Sequence, residues 1–425
     1  MKTNKKLLTV LSALVIIGTL AGCSKKKDDS QSAELAALAA ELKEMKAELE
    51  KAKNTNAAPE EIAKLETAVA EIAQEEQQAE QKQEASATPA TTPAASTATT
   101  TPTTATPAAS TSTSSASDFQ MSGTTLTKYR GKGGNVTIPN GVTAIGNDAF
   151  SGLESITIVT IPNSVTRIGN TAFNYCTSLT SVSIGSGVTN IAEDAFNACK
   201  SLTAINIDSS NTTFSSDNGV LYNKNKTTLI RFPEAKTGSL TISNSVTSIM
   251  KGAFEDCTKL ISVTIPSSVT SIGEFAFINC ISLTSVNIPN GVTSIRDQTF
   301  NNCTSLKSII IPNSVTTIGR DAFSGSTGKG CGITSITIGN GVKSIERSAF
   351  AGSQLTSVTL PSSVTSIGEF AFVNCASLTK VIFEGMFVNF DRIPYTFDGN
   401  LETVYLNGRT GTYTRERGGE VWTKQ

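Results

Sequence analysis

A phenylalanine that returns on a 23-residue beat constrains this chain more than any other feature. Phe150, Phe173 and Phe196 are 23 apart, as are Phe254, Phe277, Phe300 and Phe323, and Phe350 and Phe372 follow at near misses. The clearest copy runs from Leu260 through Val263-Thr264-Ile265-Pro266, Val269, Ile272-Gly273 and Ala276-Phe277 to Cys280. Val263 and Ile265 point inward and Thr264 outward, because side chains alternate along a strand. Pro266 ends the strand, since it cannot donate to a ladder. Val269 and Ile272 begin a second inward stretch, Gly273 is expected to supply a sharp bend, and Ala276-Phe277 plug the coil. One such unit cannot bury these residues alone, whereas stacked copies build a continuous core. The expected fold is a repeat solenoid of short parallel strands over residues 118–407.

A period of 20–29 residues with Leu, Val and Ile at fixed offsets reads as a leucine-rich repeat. The 58-residue step from Phe196 to Phe254 exceeds two periods by twelve, so an insertion lies between them. It holds Phe214-Ser215-Ser216-Asp217-Asn218-Gly219-Val220-Leu221-Tyr222, in which Asn218-Gly219 is a hairpin-turn signal between apolar stretches. The repeat and this insert resemble the BspA-like leucine-rich repeat of bacterial surface lipoproteins over about residues 119–407. The ending, Gly411 to Arg415 with Trp422, is similar to C-termini of that family; residues 408–425 are otherwise read as a tail. The resemblance implies adhesion to host matrix proteins or to other bacteria.

The N-terminus indicates a compartment. Lys2, Lys5 and Lys6 precede an apolar run from Leu7 to Leu20, too short to span a bilayer but suited to a secretory signal. The run ends in Leu20-Ala21-Gly22-Cys23, which resembles the bacterial lipobox. Residues 1–22 are then a lipoprotein signal peptide, with a covalent lipid expected on Cys23. Acyl chains contribute about 0.8 kcal/mol per buried CH2, so two or more hold stably. Ser24 after the cysteine favours the outer membrane by resemblance to a sorting rule.

Residues 23–85 read as a helical stalk. Leu35, Leu38, Leu42, Met45 and Leu49 form a coiled-coil seam, and Ile62, Leu65, Val69 and Ile72 form another. Asn54 to Pro59 break the helix between them, and the register slips by one residue. An antiparallel helix pair, two short self-associating segments, or a lone marginal helix all fit. Residues 86–117 are 32 positions of Ser, Thr, Ala and Pro alone. No packed core can form there, and the disordered linker reaches between roughly 30 Å as a coil and about 100 Å extended. Its composition is that of a spacer, compatible with O-glycosylation.

Composition narrows the function classes. Histidine is absent, which removes Ser-His and Cys-His nucleophile pairs, His-ligated metals and the commonest general base. Net charge is −1 and charged residues are 17 %, so no basic field points to nucleic acid. No enzyme activity, metal or cofactor is expected beyond the lipid. Asp148, Asp194, Asp321 and Glu369 precede the repeat phenylalanines; as paired carboxylates they would suggest glycosidase chemistry, but as repeated turn residues they read as solvated. Cys176, Cys199, Cys257, Cys280, Cys303 and Cys375 each follow the phenylalanine by three positions. Equivalent side chains on adjacent rungs run parallel about 4.8 Å apart, unsuited to a disulfide, so a buried ladder of thiols is expected. Cys331, in the glycine-rich insertion 325–332, is the expected exception and the candidate reactive thiol.

A partner would meet the outward residue of each rung. These are Thr137, Thr160, Ser183, Asn206, Thr241, Thr264, Asn287, Ile310, Thr337, Thr359, Ile382 and Tyr405. Nine of the twelve are small and polar, a hydroxyl-rich surface without the aromatic and arginine anchors of tight interfaces. Binding there would be broad and strengthened by multivalency; equally, threonine is simply compatible with strands and solvent. The expected function is a lipid-anchored cell-surface protein whose solenoid binds an extracellular protein or glycan. The alternative is a periplasmic or envelope scaffold without an adhesive role.

Overall fold

The computed structural model describes residues 115–325, 330–386 and 396–425. The signal segment, Cys23, the stalk and nearly all of the spacer lie outside the described residues. The repeats form a solenoid whose described coils build two sets of parallel strands. The longer strands carry the inward–outward–inward triplets: Gly134–Thr137, Ile156–Ile161, Ser181–Ile184 and Ala204–Ile207 pair in that order. Later coils continue with Gly238–Thr241, Leu260–Thr264 and Ser285–Val286, then Ser308–Ile311 with Ser335–Ile338, then Ser357–Leu360 with Lys380–Phe383. Two-residue strands such as Ser248–Ile249, Ser271–Ile272 and Ser294–Ile295 build the second ladder. Val263 pairs with Val286 and Ile249 with Ile272, so the register advances by the repeat length.

The physical reason for each corner is local. Prolines 139, 162, 266, 289, 312 and 361 end the strand and open a turn closed by a hydrogen bond to their own carbonyl; Val269 N–H donates to Pro266 O at 3.1 Å. Two left-handed residues then flank most of the phenylalanines. Phe275 (φ 58°) and Asn279 (φ 59°) bracket Phe277, and Gln298 (φ 54°) and Asn302 (φ 60°) bracket Phe300. Asparagine tolerates this region and lends its amide to the neighbouring rung: Asn302 Nδ2 donates to Asn279 Oδ1 at 2.9 Å. At the bend expected at Gly273 the backbone stays out of the left-handed region. The role of this glycine is close approach, since a Cβ there would lie 2.4 Å from the backbone nitrogen of Lys251 one rung below. Around the phenylalanine turns, where no regular strand forms, backbone groups still pair between rungs: Phe277 N–H donates to Thr299 O at 2.8 Å. Buried amides are thereby satisfied on all sides of the coil.

The phenylalanines stack into a spine. Centroids are 4.7 Å apart for Phe254 and Phe277, 5.3 Å for Phe277 and Phe300, and 5.3 Å for Phe323 and Phe350, with near-parallel planes. Rings outside the strict period extend it: Tyr129 stacks on Phe150 at 5.2 Å, Phe232 meets Phe254 at 5.3 Å, and Phe397 meets Phe372 at 4.7 Å. Fully burying one such ring contributes about 1.5–3 kcal/mol.

Two caps close the described solenoid, as terminal repeats require. Phe119–Ser122 folds antiparallel onto Thr125–Tyr129 and sets Phe119 against Tyr129. At the other end residues 408–425 do not trail away as a tail. Gly411–Thr414 pairs antiparallel with Lys380–Phe383, and Thr423–Lys424 pairs with Gly411–Thr414. The helix Leu401–Gly408 lies between these elements in sequence. Arg415 fastens the cap, donating to Leu378 O (2.7 Å), Cys375 O (2.9 Å) and Gly419 O (2.9 Å) while stacking on Trp422.

The insertion forms the expected hairpin. Phe214–Asp217 and Val220–Asn223 are antiparallel, with Asn218 and Gly219 both at positive φ, 47° and 78°. It divides the solenoid into two stacks with separate cores, one from Phe119 to Ile205 with Leu221, the other from Val220 to Trp422. The spine stops at Phe196 and restarts at Phe232. We refer to this division as the seam.

Candidate interaction face

The longer ladder displays its outward residues in register. Thr137 pairs with Thr160, Thr160 with Ser183 and Ser183 with Asn206, giving one panel before the seam. Thr241 pairs with Thr264, Ile310 with Thr337 and Thr359 with Ile382, giving a second panel after it. Thr137, Thr160, Ser183, Asn206, Thr241, Thr264, Thr337 and Thr359 are exposed. Their side chains make no hydrogen bond among the described residues.

That sets them apart from two other threonine columns. Thr180 Oγ1 donates to Thr157 O at 2.9 Å, Thr203 to Thr180 O at 3.0 Å and Thr284 to Ile261 O at 3.0 Å. At the second corner Thr166 donates to Thr143 O at 3.0 Å and Thr316 to Thr293 O at 3.2 Å. Those hydroxyls are committed to holding successive rungs together. The outward hydroxyls remain available to a partner or to water.

Four positions differ from the exposed polar row. Tyr405 is not on the face at all: it is fully buried in the helix Leu401–Gly408, its ring 4.5 Å from Phe383. The valine-like spacing around it belongs to the cap, where a helix replaces the strand. Asn287 is only half-buried and turns down onto the sheet. Its Oδ1 accepts from Ile265 N–H at 2.7 Å and its Nδ2 donates to Ile265 O at 2.7 Å. The side chain thus replaces strand pairing beyond Ser285–Val286. Ile310 is 63 % exposed and interrupts the polar surface with an aliphatic knob, whereas Ile382 is half-buried.

The cysteines form the expected buried column. Six thiols face a phenylalanine carbonyl of the preceding rung, among them Cys176 Sγ to Phe150 O at 3.1 Å, Cys280 Sγ to Phe254 O at 3.1 Å and Cys303 Sγ to Phe277 O at 3.2 Å. All seven described cysteines are free and buried. Burial pushes the Cys176 thiol up to about 12 and Cys375 to about 11. Cys331 is no exception, contrary to the expectation from its loop. It is fully buried, its thiol faces Cys303 O at 3.4 Å, and burial pushes it up to about 12. The insertion returns the chain to the same column. Ellman's reagent is therefore expected to leave all seven solenoid thiols unmodified in native protein and to titrate them after denaturation. Rapid native modification of Cys331 would contradict this burial.

The four acidic turn residues stand on separate rungs, and only Asp194 lies beside other carboxylates, Glu193 and Glu255, in a cavity at the seam. Asp148 and Asp321 sit at left-handed corners, φ 54° and 52°, on different rungs, and Asp148 accepts from Thr171 Oγ1 at 2.6 Å. No group of three His, Cys, Asp or Glu side chains suited to a metal occurs among the described residues. No described helix is long and apolar enough to cross a membrane.

Sequence reasoning missed a charged cluster at the seam. A cavity of about 180 Å3 is lined by Glu193, Asp194, Arg231, Lys251, Gly252, Glu255 and Phe275. Behind it Arg231 Nη2 lies 2.8 Å from Glu234 Oε1, the two side chains 7 % and 2 % exposed. The available signal was an Arg and a Glu three apart inside the apolar run from Leu229 to Ala235.

Comparison with known proteins bears on this architecture. The family described as BspA type leucine rich repeat region matches in six copies over residues 129–237, 230–329 and 326–414. No curated protein matches in sequence. Among solved structures, a leucine-rich repeat protein from Eubacterium ventriosum is 25 % identical with a TM-score of 0.42, covering 58 % of this chain and 83 % of that one. A leucine rich cell surface protein from Faecalibacterium prausnitzii is 24 % identical with a TM-score of 0.36, covering 66 % and 94 %. The pneumococcal vaccine antigen PcpA is 20 % identical with a TM-score of 0.41, covering 60 % and 69 %. With the repeat pattern matched across the described solenoid, this chain belongs to the BspA-type leucine-rich repeat family.

Proposed function

We propose that this chain is a bacterial surface interaction protein, lipid-anchored at Cys23 and raised on its stalk and spacer, that engages an extracellular protein or glycan through the outward face of the longer ladder. Family membership supports a protein-interaction role in general terms. The observation that carries the finer reading is the contrast between threonines. Corner threonines are bonded to neighbouring rungs, while the outward ones keep free hydroxyls in a regular exposed row. Such a row offers many weak polar contacts at fixed spacing, which become strong only when many copies act together on a cell surface. Cys23 and its lipid, and self-association of the stalk, belong to the same proposal.

The test uses intact cells carrying wild type or the combined substitution Thr160→Lys, Thr264→Lys and Thr359→Lys. These exposed side chains can change without disturbing the core. Adhesion to matrix-coated surfaces and aggregation with other bacteria are expected to fall about tenfold or more, since a kcal/mol lost per contact multiplies across copies. Protease shaving checks that both proteins reach the surface equally. Unchanged adhesion by the surface-exposed variant would remove the face from the proposal. Full protection from shaving would favour a periplasmic scaffold.

A further inference from the structure

The seam is held differently from every other junction in the stack. Elsewhere a phenylalanine ring stacks on the next; between Phe196 and Phe232 that stacking is missing. In its place Ala235 N–H donates to Leu202 O at 2.8 Å and Ile205 N–H donates to Gly219 O at 2.9 Å, and the Glu234 side chain is buried beside them. Glu234 touches both sides. Its Oε1 accepts from Arg231 Nη2, and the Ala198 N–H of the first stack faces its carboxyl. Its Oε2 is buried with no hydrogen-bond partner, and so is Oδ1 of Asn197, the residue next to Ala198.

A buried carboxylate with an orphaned oxygen is unfavourable as an anion; a proton on that oxygen removes the charge and turns an acceptor into a donor. Arg231 does not need Glu234 to remain charged. It also donates to Gly252 O at 3.1 Å and lies 3.7 Å from Glu255 Oε2. We propose that the seam is a proton-operated hinge: Glu234 is protonated when the two stacks are docked, and loss of that proton loosens the junction while each stack stays folded. Because the seam separates the two panels of the outward face, the hinge governs how those panels are presented together.

The surrounding charges pull in both directions, and burial outweighs them. Burial first, opposed by Arg231 and reinforced by Asp256, pushes Glu234 up to about 7. Glu255 is also raised, by burial first, with Arg231 and Lys251 lowering it and Asp256 and Asp194 raising it. Cys199 and Cys257, which also feel Glu234, are raised far enough by burial to stay neutral. For a carboxyl whose folded value lies above its ordinary 4.5, the stabilisation is complete below that value. It declines as pH rises and is lost on passing about 7.

Hydrogen exchange on the full chain tests this. Between about pH 6 and about pH 8.5, after correction for intrinsic exchange, protection of the Ala235 and Ile205 amides is expected to fall about tenfold. The Phe300 and Phe323 amides, deep in the second stack, are expected to hold theirs. Glu234→Gln keeps the shape and removes the proton equilibrium, so its seam is expected to stay protected throughout. Seam protection that does not change with pH, or the same fall in the glutamine variant, would overturn the proposal. If circular dichroism shows that Glu234→Gln does not fold, the carboxyl carbon of Glu234 in wild type is titrated by NMR. A midpoint above about 5.5 supports the hinge and one below it overturns it. None of these readouts depends on adhesion, so failure of the binding face leaves them untouched.

Discussion

Truncating Phe277 to alanine is expected to destabilise the second stack by about 3–5 kcal/mol. The ring is fully buried and packs between Phe254 at 4.7 Å and Phe300 at 5.3 Å, both planes within a few degrees of parallel. The loss has two parts: the transfer free energy of the ring, and a cavity that rungs fixed by interrung hydrogen bonds cannot close. Each aromatic pair adds about 0.5–1.5 kcal/mol beyond area burial. Urea unfolding followed by circular dichroism measures it. In a solenoid, stability is carried by contacts between neighbours, so a weakened central rung also threatens two-state behaviour. Phe277→Leu keeps most of the volume and is expected to cost clearly less. A loss below about 1 kcal/mol for the alanine variant would show that the spine is not a main source of stability.

Arg415→Ala is expected to have a comparable effect for a different reason. The guanidinium is buried and satisfies three carbonyls, on Leu378, Cys375 and Gly419, while stacking 4.8 Å from the Trp422 ring and lying 3.7 Å from Asp398. Removing it orphans those acceptors at about 1–3 kcal/mol each where water cannot reach them. The cap would detach and leave the edge of Lys380–Phe383 open, a template for pairing with other chains. The expected result is a lower unfolding midpoint together with concentration-dependent association in light scattering. Arg415→Lys retains the charge but not the planar fork, and should recover only part of the loss. An alanine variant that is monomeric and as stable as wild type would show that the hairpin strands alone close the solenoid.

Much of this architecture is legible in the sequence. The alternation of Val263, Thr264 and Ile265 orients each rung, and Pro266 marks its end. The insert's Asn218-Gly219 turn and the burial of the cysteine column also follow from residue type and spacing. The failures share a cause. Phe232, Phe397 and Tyr129 join the spine although they stand off the 23-residue beat, because loops of other lengths bring them to the same column. Cys331 was misplaced for the same reason: a glycine-rich insertion looks exposed in one dimension, yet its end re-enters the core. The period, extended to Tyr405, points it outward, but the cap there no longer obeys the repeat. Asn287 occupies an outward position, but its amide reaches the backbone of the rung before it.

Periodicity alone determined that this protein is a solenoid and, within the regular repeats, which residues form its core and which point outward. Burial of apolar side chains repeats at fixed offsets, and a linear sequence records such offsets directly. Only the tertiary structure decided where the stack is divided and how its end is sealed. It also decided which threonine hydroxyls are spent between rungs and that a carboxyl without a full set of partners sits in the seam. Those properties depend on groups from different coils meeting at distances of about 3 Å, the range over which hydrogen bonds and buried charges act. Nothing in the order of residues along the chain carries that distance.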